Sequence, residues 1–381
     1  MERENLPWIL FIGIGGVGGF YGGSFAKNSP EELQKKIFFL GRAESSHTKK
    51  LESDGLKVEC NNGRDSFHVK INLLEQCSTQ KFDVIFCCTK SGALNDLLEP
   101  ITKFKHDDTL IIPLLNGIMP SGENFHRSHF FFKSLKFLHL VSSAFGEEFL
   151  ADKFGDCVCG GYCKVISFIK EDGLVFFFEN PLPRLAFGPL PSTNKRYMGR
   201  IEQMKKLVAS AGLPMEQIGE DIRQGVWQKF IYISSKASVT SVCRSTFQEV
   251  MANEEGRELL RDAVKEVYSL ALKKKVPLEE NFDQKVFQLF LNEAATSLTP
   301  NTSSMQRDIM VRSLSAKKKM KYFYSFFNPI LKEGKPSELF EITGYVVNEG
   351  KKLGVETPSH KFILYSLMSQ EMAARKKTEN K

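Results

Sequence analysis

The residues best suited to chemistry near the start of the chain are glycines. The run Phe11-Ile12-Gly13-Ile14-Gly15-Gly16-Val17-Gly18 sets Gly13, Gly15 and Gly18 in the Gly-x-Gly-x-x-Gly spacing, straight after an apolar stretch and at the head of a helical one. In that setting Gly13 permits a tight turn, Gly15 lets backbone N–H groups, with those of Gly16 and Val17, approach a pyrophosphate, and Gly18 lets helix lie against strand. A bound phosphate would also meet the positive end of the helix dipole. The bland alternative is a glycine-rich turn without a ligand. The next apolar run ends in Leu40-Gly41-Arg42. An NAD site carries an acid there for the ribose hydroxyls, whereas a guanidinium suits a 2′-phosphate. The pattern therefore predicts NADPH, with Glu44 as the nearby acid that argues the other way. In the second half, Trp227-Gln228-Lys229-Phe230 opens a helix of otherwise apolar and small residues over 231–241. A lysine in such a helix is costly unless it reaches solvent or faces a cleft, where a lowered pKa makes it a usable proton donor. Lys236 lies on nearly the same face and competes for that role.

The elements that must position these groups show in the rhythm of the chain. Apolar runs at Trp8–Ile12, Lys36–Leu40, Val84–Cys88 and Leu110–Leu115 alternate with helical stretches at Gly16–Ala26 and Ala93–Phe104, the signature of strand-helix-strand units and a parallel sheet. Asn116-Gly117 reads as a turn after the fourth strand, at the carboxyl edge where such sheets bind ligands. Strand-like runs at Val165–Ile169 and Leu174–Phe178 are expected to finish this sheet domain. From Lys195 the composition turns helical, with a regular apolar period over Glu254–Lys275 and a joint near Pro189–Asn194. The expected fold class is α/β: a Rossmann-type domain over 1–190, an all-helical substrate domain over 191–381, and the site in the cleft between them.

Bulk properties restrict the partners. A chain of 381 residues exceeds one ordinary core, and 42% hydrophobic with 25% charged residues is a globular composition. The net charge of +7 suits anionic ligands but sits largely in solvated lysine runs, so no nucleic-acid partner is expected. The basic and aromatic stretch 317–335, with Tyr322, Phe323, Tyr324, Phe326 and Phe327, reads as a helix packed on the core in preference to a nucleic-acid platform or membrane patch. The eight cysteines form no disulfide framework, and Cys157, Cys159 and Cys163 lack a ligand set for a metal. No signal peptide or membrane span is read, so no metal, no membrane partner and a cytoplasmic location are expected.

These motifs, in this order, resemble the ketopantoate reductase (2-dehydropantoate 2-reductase) family over nearly the whole chain. Gly13 to Gly18 and Arg42 match its cofactor motif; Lys90 in Cys88-Thr89-Lys90-Ser91 and Asn116-Gly117 are similar to its strand-end lysine and its turn. Trp227 and Lys229, Ser303-Ser304-Met305-Gln306-Arg307-Asp308, Ser337-Glu338-Leu339, Gly354 and Thr357-Pro358 are similar to its C-terminal signatures. The resemblance implies NADPH-dependent reduction of a small anionic 2-oxo acid, ketopantoate to pantoate in pantothenate biosynthesis. Within it, Lys229 protonates the carbonyl oxygen, Glu338 holds the substrate hydroxyl or orients Lys229, and Ser304 binds substrate. Asn116 lies between nicotinamide and substrate, and Lys90 joins the cofactor site. Oligomeric state is left open, a homodimer being one option. The chain departs from the family at Ile233 and Ala237, where asparagines are usual, and in an insertion near Ser313–Lys335. Ser234, Ser235 or Ser238 are the polar groups at hand to replace the amides. A related dehydrogenase acting on another hydroxy or oxo acid, and a nonenzymatic NADPH sensor, remain as alternatives.

Overall fold

A short, wholly apolar strand, β1 (Ile9–Ile12), lies at the centre of the first sheet because both of its faces are covered. In the computed structural model, which describes residues 6–75, 77–89, 94–114, 146–179, 182–217, 221–296, 303, 305–306, 309 and 337–379, the strands follow as β2 (Ile37–Leu40), β3 (Leu56–Cys60), β4 (Phe67–Val69), β5 (Asn72–Leu73), β6 (Phe82–Cys87), β7 (Lys105–Pro113), β8 (Gly160–Lys164), β9 (Ile166–Glu171), β10 (Leu174–Phe178) and β11 (Arg184–Gly188). Five of them form a wholly parallel sheet in the order β5-β2-β1-β6-β7. The order reverses at β1, which makes its carboxyl end, beside that of β6, the switch point of a Rossmann-type sheet. Register places Phe11 between Phe39 and Phe86, and the three rings stack at centroid distances of 5.3 and 4.7 Å.

The strand-like runs expected to finish the sheet domain do lie in the first unit, but they pair outside the five-stranded sheet. Leu174–Phe178 and its hairpin partner Ile166–Glu171 belong to a separate four-stranded sheet, β4-β3-β10-β9. The cause lies in the connection after β2, which contributes β3 and β4 before returning to the first sheet at β5; β10 then pairs parallel to β3. Edge strand β9 leaves Ile166 and Ile169 exposed, so a pairing partner, not an apolar alternation, decided its place.

Contacts group the described residues of 6–114 with those of 146–225, and the described residues of 226–379 form a second unit. The compositional shift at 190/191 precedes that boundary because the helix Met198–Ser210 stays with the sheets. It buries Ile201, Met204, Leu207 and Val208, Arg200 pairs with Asp83 at 3.3 Å, and the Ala211 carbonyl accepts from Asn28 at 3.0 Å. Every described strand lies in the first unit. The described elements of the second unit are helical, and Asn253 caps the helix Glu254–Lys273 on the Gly256 amide, as the expected apolar period requires. The aromatic stretch 317–335 lies outside the described residues. No helix among the described residues is long and apolar enough to cross a membrane.

Within the second unit Glu266 caps the helix Pro358–Glu379, accepting from the amides of Ser359 (2.7 Å) and His360 (3.0 Å) and pairing with the buried His360 ring at 2.7 Å. Burial pushes the Glu266 carboxyl up, but the His360 ring and the two amides together outweigh it and hold the group below the usual carboxylate range. A depressed folded pKa contributes stability that is present above the unfolded value and lost as pH falls through the folded one. Glu266→Gln is expected to lower stability at neutral pH by about 1–3 kcal/mol. In urea titrations the gap to wild type should close as the pH falls through the depressed pKa of Glu266.

Candidate functional site

The glycine turn is built by close backbone approach. Gly13 has φ +97°, and its N–H donates to the Leu40 carbonyl at 2.9 Å, so the turn begins where β1 and β2 both end. A Cβ on Gly18 would lie 1.9 Å from the Gly13 carbonyl oxygen, and one on Gly16 would lie 2.4 Å from the Ser167 carbonyl of β9. A Cβ on Gly15 would meet nothing within 4 Å among the described residues. The helical segment opens as a wide turn, Gly18–Gly22, with Val17 at its cap, and continues as Gly23–Asn28. Gly22 lies so close to the sheet that a Cβ there would meet the rings of Phe39 and Phe11 at 2.6 and 3.1 Å. Gly16, Gly18 and Gly22 thus serve three separate contacts, with the space left beside Gly15, whose N–H has no hydrogen-bond partner among the described residues.

Arg42 follows β2 and is exposed, and its guanidinium has no hydrogen-bond or ion-pair partner among the described residues. Glu44, the acid that could redirect the specificity, faces Lys49 at 3.6 Å, an exposed pair of little energetic weight. Lys90 and Asn116 follow the ends of β6 and β7 and lie outside the described residues, as does Ser304. Two residues near the turn escaped sequence reasoning. Thr89, the sequence neighbour of Lys90, has a buried Oγ1 with no hydrogen-bond partner among the described residues and sits against Gly13. His47 is buried and its ring contacts the Ile14 carbonyl at 2.9 Å; nothing in its sequence context distinguishes it from a surface helix residue.

In the second unit the two competing lysines separate. Lys236 is buried, ion-paired to Glu293, and set 4.1 Å from the Phe247 ring centroid, while Tyr232 donates to the same carboxylate. Burial pulls the Lys236 pKa down and Glu293 partly restores it. This is a structural ion pair. Lys229 lies half-buried on the same helix, Ile222–Cys243. That helix is fixed by Trp227 and Phe230 against Tyr345, at centroid distances of 6.4 and 5.6 Å, and by a 2.8 Å hydrogen bond between Ser238 and Thr343.

Tyr345 and Thr343 belong to the segment that begins at Glu338, so the elements bearing Lys229 and Glu338 are packed together. Glu338 is half-buried at the entry to the wide turn Phe340–Gly344, and its carbonyl accepts from Ile342 at 2.9 Å. The preceding residue is held from below: Glu371 accepts from the Ser337 amide at 3.1 Å and from its hydroxyl at 2.6 Å, and Arg375 bridges Glu371 and Glu341. Burial raises the Glu341 carboxyl despite that guanidinium. Of the three serines at hand to replace the missing amides, Ser234 donates to the Phe230 carbonyl at 2.7 Å and Ser238 is joined to Thr343, while Ser235 is fully buried. Ala237, in place of one asparagine, is buried as well. Cys157, Cys159 and Cys163 are buried free thiols.

Residues 9–126 match the family described as Ketopantoate reductase PanE/ApbA, and residues 221–314 match its C-terminal domain. The two matches cover more than half of the chain. The chain belongs to the ketopantoate reductase family. Among its relatives is an uncharacterized oxidoreductase of Bacillus subtilis, YkpB, 23% identical over 364 residues, or 95% of this chain and 98% of the relative. The fold is shared with the 2-dehydropantoate 2-reductase of Geobacter metallireducens, with a TM-score of 0.68, 19% identity, and coverage of 95% of this chain and 99% of the other. It is shared equally with a D-mandelate dehydrogenase in complex with NADH and anilino(oxo)acetate, with a TM-score of 0.68, 16% identity, and coverage of 96% and 99%. The family match places the glycine turn, Arg42, Trp227 and Lys229 within its boundaries, while Glu338 lies beyond them.

The glycine geometry separates two substitutions that look alike in sequence. Gly18→Ala is expected to destabilise the first unit by about 1–3 kcal/mol, since the clash is with backbone that must move. Gly15→Ala, in open space, should change the thermal midpoint little or raise it slightly. Thermal melts of both variants beside wild type test the contrast.

Proposed function

We propose that the chain is an NADPH-dependent reductase of a small 2-oxo acid, with ketopantoate as the leading substrate. The observation that carries the reading is the glycine turn at the switch point of the parallel sheet, where Gly18 and Gly16 are closed by backbone and Gly15 has open space beside it among the described residues. Such a turn fits a pyrophosphate, and the buried Thr89 hydroxyl beside it, without a hydrogen-bond partner among the described residues, fits a polar ligand. Arg42, with no side-chain partner among the described residues, supports a 2′-phosphate and hence NADPH over NADH. A bound reduced nicotinamide would supply the hydride that adds to the ketone carbon. Lys229 then has the task of giving a proton to the carbonyl oxygen as alkoxide charge develops. Glu338, anchored through Ser337 by the Glu371 carboxylate, is suited to hold a substrate hydroxyl or to orient Lys229. Lys90, Asn116 and Ser304 keep the roles implied by the family: cofactor contact, a place between nicotinamide and substrate, and substrate binding.

A second reading concerns the acid. With Ile233 and Ala237 in place of two amides and the hydroxyls of Ser234 and Ser238 already engaged, the helix offers less polar surface than ketopantoate's hydroxyl would favour. A 2-oxo acid with a more apolar side chain suits such a helix, and the likeness to a D-mandelate dehydrogenase points the same way.

The test follows NADPH absorbance with purified protein and a panel of 2-oxo acids. Turnover of ketopantoate or of an aromatic or branched 2-oxo acid, abolished by Lys229→Ala while NADPH affinity is kept, is the expected outcome. Tight NADPH binding with no acid turned over would overturn the reductase reading in favour of a sensor. Arg42→Ala should raise the NADPH Kd by about tenfold or more, as expected for a lost charge-assisted pair, and leave the NADH Kd nearly unchanged.

A further inference from the structure

The short helix Ser46–Asp54 after Arg42 does more than connect strands. Its Thr48 packs so closely on Gly41 that a Cβ there would lie 2.5 Å from the hydroxyl oxygen and 3.3 Å from the Ile14 side chain. Next to Thr48, His47 turns inward. Its ring makes two contacts of opposite kind. The Gly173 amide, in the β9–β10 turn, donates to Nδ1 at 3.0 Å, and Nε2 lies 2.9 Å from the Ile14 carbonyl oxygen. A backbone amide can only donate, so Nδ1 must carry the lone pair. In the neutral ring the proton is then on Nε2, where it is donated to Ile14. Burial pulls the His47 pKa down, against the opposing effects of the Ile14 carbonyl and Asp172, which keeps the ring in that neutral form at ordinary pH.

The Ile14 carbonyl shares its peptide plane with the Gly15 N–H. In a trans peptide the two point in opposite directions. Drawing the oxygen inward to His47 therefore turns the Gly15 N–H away from the protein interior, at the one turn position where a Cβ would find nothing within 4 Å among the described residues. We infer that His47 is a positioning residue of the dinucleotide site: its Nε2–H, set by the Gly173 amide on Nδ1, holds the Ile14–Gly15 peptide so that the Gly15 amide faces the pyrophosphate. The second sheet thereby gains a function. Its β9–β10 hairpin fixes the tautomer through Gly173 and supports the turn at Gly16 through Ser167. This role rests on the dinucleotide-binding reading proposed above.

The test compares wild type, His47→Leu and His47→Gln for NADPH and for adenosine 2′-monophosphate, which carries the Arg42 ligand but no pyrophosphate. His47→Leu is expected to weaken NADPH by about tenfold, the equivalent of ~1.4 kcal/mol, with adenosine 2′-monophosphate unaffected. His47→Gln, whose amide can both donate and accept across a similar span, should restore most of the NADPH affinity. In wild type, ring nitrogen NMR shifts should report the Nε2–H tautomer, a measurement that needs no variant to fold. A folded His47→Leu protein with wild-type NADPH affinity, equal loss of both ligands, or an Nδ1–H ring would overturn the inference while leaving the function intact. A wild-type protein that binds neither ligand would overturn the dinucleotide reading itself, and this role with it.

Discussion

Everything in the first unit is arranged around one close approach, in which the Cα of Gly18 meets the carbonyl of Gly13 at a distance that admits no side chain. That contact brings the helix start onto the end of β1. Gly22 continues it by seating the helix on the Phe11 and Phe39 rings, and Phe86 completes the stack across three strands. Dispersion between stacked rings fixes where the sheet face lies, and the missing Cβ atoms fix how near the helix comes to it. Amides freed by this geometry have no intrahelical partner, which is what makes a helix start an anion site. The second sheet then limits the turn from another side at Gly16, so that the open space is confined to the backbone around Gly15.

The second unit solves a different problem, the holding of charged side chains in a largely apolar helical core. Desolvating a charge is tolerable only when a partner and hydrogen bonds compensate. Lys236 with Glu293, Glu266 with His360, and Arg375 with Glu341 and Glu371 all meet that condition. The pairs Lys236–Glu293 and Glu266–His360 each join two helices, and Arg375–Glu341 joins a helix to a turn, while Glu371 lies one turn before Arg375 on the same helix. Glu371 and Arg375 act on the turn that carries Glu338, and Trp227 with Tyr345 joins that segment to the helix of Lys229. Buried charge here serves placement: the same apolar helices could pack in shifted registers, whereas an ion pair with fixed hydrogen bonds tolerates few.

Under the proposed reductase function, the helix Ile222–Cys243 bears on which 2-oxo acid is taken. Two of its serines are absorbed by the fold, Ser234 into its own backbone and Ser238 into Thr343, Ala237 is buried, and the buried hydroxyls of Ser235 and Ser241 have no hydrogen-bond partner among the described residues. A polar residue near a site is not yet a polar group for the substrate. Specificity among 2-oxo acids follows from the donors that remain for the ligand, and a single unpaired donor or acceptor changes discrimination by orders of magnitude.

The amino-acid sequence by itself determined the local and the periodic. The glycine spacing, the alternation of strands and helices, the parallel first sheet, the long helix carrying Lys229 and the family all follow from neighbours within a few residues or from ordered motifs. It also placed Arg42 correctly at the end of β2, because strand ends are read from the apolar pattern. Only the tertiary structure decided where the hairpin β9–β10 pairs, since a strand's partner depends on free edges far away in the chain. It alone showed what Lys236 does, because the carboxylate that neutralises it comes from Glu293, on another helix. His47 and Thr89 were invisible for the same reason: their meaning lies in Ile14, Gly173 and Gly13, and a ring or hydroxyl acquires a direction only when distant backbone folds around it.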